Sequence, residues 1–79
     1  TLSYDDQKRL KALNNRLSKA EGRITDLEKQ IAKADVELAN NYEKLMNDAK
    51  WFANYEKLKK DLDATMVEWE QVQEELELG

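Results

Sequence analysis

Apolar residues recur in this chain at alternating steps of three and four, in two separate runs. The first is Leu10, Leu13, Leu17, Ala20, Ile24, Leu27, Ile31, Ala34 and Leu38. The second is Trp51, Tyr55, Leu58, Leu62, Thr65, Trp69, Val72 and Leu76. A repeat of about 3.5 residues puts one apolar seam on a helix and coils that helix around a partner. The pattern predicts an all-α chain, two long helices forming an antiparallel coiled-coil hairpin. The first helix is expected over residues 4–38, the tip over 39–48 and the second helix over 49–77, as one domain covering 1–79. A parallel dimer or a larger bundle would also satisfy the seam. The turn-forming stretch between the runs favours the hairpin and a monomer.

The composition narrows the chemistry. Of the 79 residues, 38% are charged and none is proline, which suits long exposed helices. A chain this short buries only about 60% of its unfolded surface, so a regular two-helix seam is among the smallest workable cores. Cysteine and histidine are both absent. That removes disulfides, thiolate metal sites and the commonest general base. The only glycines are Gly22 and Gly79, so no phosphate-cradling Gly-x-x-x-x-Gly-Lys loop is present. No small-molecule substrate or bound cofactor is expected, and no catalysis. Nor does any apolar run approach the roughly 20 residues of a membrane span, so a cytoplasmic domain without membrane contact is expected. The start at Thr1 rather than methionine suggests a piece of a larger protein.

Charge is divided between the ends. Residues 7–25 hold Lys8, Arg9, Lys11, Arg16, Lys19 and Arg23 against Glu21 alone. Residues 68–77 hold Glu68, Glu70, Glu74, Glu75 and Glu77 without a base. With Leu10 and Tyr55 as heptad a positions, a single antiparallel register pairs Arg9 with Glu75, Arg16 with Glu68 and Arg23 with Asp61. It stacks Leu10 on Val72, Leu13 on Trp69 and Ala20 on Leu62. Exposed ion pairs contribute only about 0.2–1 kcal/mol each, so they select register more than they stabilise.

Helix ends are marked as well. Ser3 with Asp5 and Asp6 reads as an N-cap followed by acids in the first turn. Asn40 and Asn41 are turn formers, Asn47 or Asp48 could cap the second helix, and Gly79 reads as a helix stop. One helical turn at Tyr42–Met46 fits inside the tip.

Three stretches together resemble a known family. Leu2-Ser3-Tyr4-Asp5-Asp6-Gln7-Lys8-Arg9-Leu10 is similar to the opening of the C-terminal domain of ABC-F ATPases, Uup-like branch. Val67-Glu68-Trp69-Glu70-Gln71-Val72-Gln73-Glu74-Glu75-Leu76 resembles the close of that domain, and the heptads lie between. Asn14 and Asn15 stand where that family often has a proline, and the Asp-Pro often found at its tip is missing. The resemblance implies a parent protein with two ATP-binding cassettes that use ATP and Mg. It also implies work on ribosomes or DNA, with the hairpin as a nucleic-acid-binding arm.

The residues offer candidates for such contacts. Lys8, Lys11, Lys19, Lys29 and Lys33 occupy the outward b, c and f positions of the first helix. Tyr42 and Lys44 stand at the tip. Phosphate binding needs cations on one accessible face, and the partner would be DNA or ribosomal RNA. The same lysines could simply keep a coiled coil soluble, leaving a spacer or protein-binding hairpin as the alternative. Tyr55 and Trp69 lie on the seam and are expected in the core rather than under stacked bases.

Overall fold

The computed structural model of the protein describes residues 3–78. The expected helix stop at Gly79, and Leu2 of the opening motif, lie outside the described residues. Helix α1 runs Tyr4–Asn40, α2 is the single turn Tyr42–Met46, and α3 runs Ala49–Leu78. Helices α1 and α3 pack against each other as a hairpin, giving a rod 61 Å long and 16 Å wide. No strand occurs among the described residues.

Local chemistry sets the ends. The Ser3 Oγ accepts a hydrogen bond from the Asp6 N–H at 3.2 Å, and Asp5 and Asp6 sit in the first turn. Helix α1 stops when Asn41 leaves helical geometry (φ −131°, ψ 40°), its N–H still bonded to the Glu37 carbonyl. Its own carbonyl then starts α2 by accepting from the Leu45 N–H. Asp48 opens α3: its side chain accepts from the Trp51 N–H at 3.1 Å, the N-cap arrangement that satisfies an orphan donor.

Every seam position of both runs is buried or half-buried, while the intervening positions of α1 are exposed. The deepest are Leu13, Ala20, Leu27, Thr65 and Val72, with Val72 fully covered. Thr65 is polar, but its hydroxyl donates to the Asp61 carbonyl at 2.7 Å. That carbonyl belongs to the helix ladder, so a methyl in place of the hydroxyl strands no partner. Thr65→Val is expected to raise stability by about 0.5–1 kcal/mol in a urea melt.

The register differs from the charge-based one by one heptad. Glu75 meets Arg16, at 3.9 Å, rather than Arg9. Near the tip the Trp51 Nε1–H donates to Glu37, and the Tyr55 hydroxyl donates to Asp35. These pairs share one alignment, in which Leu17 faces Val72, Ala20 faces Trp69, Ile24 faces Thr65, Leu27 faces Leu62 and Ala34 faces Tyr55. Two causes outweigh the ion pairs. The turn is centred between Asn40 and Ala49, which fixes how far the helices overlap. In addition, this alignment sets the two alanines of the α1 seam opposite Trp69 and Tyr55, so large lies against small. The charge-based alignment sets those rings against Leu13 and Leu27 and leaves Ala34 and Leu38 facing the turn. Burying a leucine is worth about 1.5–3 kcal/mol, more than the exposed pairs it displaces.

Candidate nucleic-acid interface

The outer face of α1 carries the candidate cations. Lys8, Lys11, Lys19, Lys29 and Lys33 are all exposed, and none is in an ion pair among the described residues. From Lys8 to Lys33 the helix rises about 38 Å. The structure spreads these residues along one edge and does not gather them in a pocket. Asp26, at the c position between Lys19 and Lys33, interrupts the row.

The two ends of the rod differ. At the open end, Lys8 and Lys11 line a shallow hollow with Tyr4 and Gln7. At the tip, Tyr42 and Lys44 line another with Asn40, Asn41 and Glu43, and Tyr42 is 58% exposed. The hairpin therefore presents an aromatic ring and a lysine at each end, with the lysine row between.

The heptad shift adds a cation that the sequence pattern had assigned elsewhere. Among the described residues Arg16–Glu75 is the ion pair present, so Arg9 and Arg23 are not held by acidic partners as the charge pattern had suggested. In the observed alignment Arg9 lies beyond the last described turn of α3. It stands next to Lys8 in the first turns of the basic edge. The signal that reveals this is side-chain size along the seam, not charge.

An aromatic cluster holds the tip-side ends of the helices. Trp51 and Tyr55 stack with ring centroids 5.2 Å apart and planes 16° from parallel. Phe52 meets both edge-on, at 5.2 Å and 6.3 Å. These rings are half-buried, so they serve packing rather than base stacking. The Lys59 ammonium sits 4.3 Å over the Tyr55 ring. Its interaction with the Tyr55 hydroxyl raises its pKa above the ordinary lysine value, helped by the Asp35 and Glu56 carboxylates and opposed by slight desolvation. Lys59 therefore stays cationic throughout the physiological range.

The flank formed by the e and b positions has the opposite sign. On α1 it carries Glu21, Glu28 and Asp35, and along α3 Glu56, Asp63, Glu70 and Glu77, against Lys59 and, at the open end, Lys11. The molecule thus has a basic edge on α1 and an acidic flank beside it. No group of three or more acidic side chains converges to hold a metal among the described residues. None of the described helices is long and apolar enough to cross a membrane.

Gly22 lies at an outward position of α1, and a Cβ built there meets nothing within 4 Å. No contact in the hairpin requires a glycine here. Gly22→Ala is expected to add about 1 kcal/mol, or about 4–8 °C in melting temperature, as read by thermal circular dichroism.

No curated protein and no solved structure matches the chain. The family profile of the ABC transporter C-terminal domain matches residues 1–74, from the opening motif through Val72 of the seam. With nearly its whole length covered by that match, the chain belongs to the ABC transporter C-terminal domain family.

Proposed function

We propose that this hairpin is an accessory arm of an ABC-F-type protein of the Uup-like branch, and that it contacts nucleic acid through the outer edge of α1. The observation that carries the reading is the row of exposed, unpaired lysines from Lys8 to Lys33, with Arg9 beside it. Tyr42 and Lys44 extend it to the tip. Contact is through phosphates, so it is sequence-independent, and DNA and ribosomal RNA are both eligible. The arm is non-catalytic; ATP and Mg belong to the cassettes of the parent, in the cytoplasm. The hairpin works as a monomer, its seam being already filled by its own second helix.

Replacing Lys8, Lys11 and Lys19 with glutamate tests this. The three positions are exposed, so the melt should stay within about 0.5 kcal/mol of the parent. Affinity for duplex DNA or structured RNA should fall by at least about tenfold, and the salt dependence of what remains should flatten. Unchanged affinity would remove these lysines from the interface. The length of the rod, 61 Å, favours a second reading in which the hairpin is a spacer that sets the reach of the cassettes. Shortening both helices by one heptad would then impair the parent, while the charge reversals would not.

A further inference from the structure

The acidic flank carries an apolar groove. Ile24 and Thr25 of α1 and Met66 and Trp69 of α3 line it, and the carboxylates of Glu21 and Glu70 stand on its two rims. Met66 is 44% exposed and its neighbour Val67 53%, on a helix whose other outward positions are mostly charged or polar. The groove lies where α1 and α3 meet, so an entering side chain would touch both helices. Coiled-coil pairs accept a third helix along such a groove.

We propose that this groove docks a basic amphipathic helix of another protein segment. The charge around it selects the occupant. Glu28 and Asp63 continue the acidic character toward the tip, and Glu77 toward the open end. Lys59, on the tip side of this flank, is already placed over Tyr55. Nucleic acid is excluded by these carboxylates, and an acidic or neutral helix would leave them without counterparts. An aliphatic side chain entering the groove meets Ile24, Met66 and Trp69. Lysine or arginine one turn to either side reaches Glu21 and Glu70. A second copy of this chain suits the groove poorly. Between its lysines the basic edge of α1 offers Asn15, Gly22 and Asp26, and its exposed Val36 lies beyond Lys33, next to the tip. The groove and the lysine edge are separate surfaces, so a partner helix and a nucleic acid can be held together.

Calorimetric titration of the hairpin with two synthetic helical peptides tests this. One peptide carries a leucine stripe flanked by lysines, and the other has the lysines replaced by glutamates. The lysine peptide should bind one to one, more weakly as salt rises from about 50 to about 200 mM. The glutamate peptide should not bind. Met66→Glu and, independently, Thr25→Arg should each lower affinity by at least about tenfold. Both positions are exposed, so two variants with separate melts guard against loss of fold in either. Equal binding of both peptides, or variants that bind like the parent, would overturn the proposal. So would a hairpin that sediments as a dimer and is made monomeric by Met66→Glu, because the occupant would then be a second copy.

Discussion

Leu27→Ala is expected to cost the hairpin about 2–5 kcal/mol. Leu27 is 6% exposed and faces Leu62 in the middle of the seam. The expected value lies toward the lower end of that range, because the seam is one layer deep and water can reach part of the gap. Even so, a loss of this size is a large share of the stability of a domain with 79 residues. Urea unfolding followed by helical circular dichroism gives the value. Val36→Ala is the control, since Val36 is 59% exposed on the outer face of α1 and should change stability by less than about 0.5 kcal/mol. Equal losses at the two positions would mean that the seam is not where the structure places it.

The second large effect concerns the register. Ala20 is 5% exposed and lies opposite Trp69. Enlarging the methyl there to an isobutyl group forces the indole aside, so Ala20→Leu is expected to cost about 1–3 kcal/mol. Trp69→Leu makes room for it, so the double variant should be more stable than the two losses together imply. A coupling of at least about 0.5 kcal/mol is expected for residues in contact. In the charge-based alignment Ala20 faces Leu62 and Trp69 faces Leu13. The two positions are then a heptad apart and their effects simply add. The cycle therefore separates the two alignments.

Comparing the seam with the register shows what the sequence makes legible. Seam positions follow from periodicity alone, because an apolar stripe of this pitch can be buried only against another. The cap at Ser3 follows from a side chain able to accept a backbone N–H, and of the two candidates for α3, Asn47 and Asp48, the structure uses Asp48. The register does not follow from charge. Arg9, Arg16 and Arg23 repeat every heptad, as do Asp61, Glu68 and Glu75, so after a slip of one heptad Arg16 and Arg23 still face acidic residues. What breaks this degeneracy is the placement of Ala20 and Ala34 against Trp69 and Tyr55, together with the turn between Asn40 and Ala49. Both signals are in the sequence, but they act through volume and chain closure rather than through charge.

The candidate interface was affected by the same degeneracy. The lysines at b, c and f positions face outward in either alignment, so Lys8, Lys11, Lys19, Lys29 and Lys33 are readable from heptad position alone. Whether Arg9 is paired depends on the alignment. It is counted with the basic edge only once Arg16 is seen to hold Glu75. The apolar groove at Met66 is still less visible, because it needs the positions of Ile24 and Thr25 across the interface.

Fluorescence anisotropy of labelled duplex DNA and of a structured RNA, titrated with the hairpin at about 50 and about 200 mM salt, tests the lysine edge most directly. The account predicts binding that weakens steeply with salt, with the comparison of the two probes identifying the nucleic acid. Absence of binding to either probe up to high micromolar hairpin at the lower salt would contradict it.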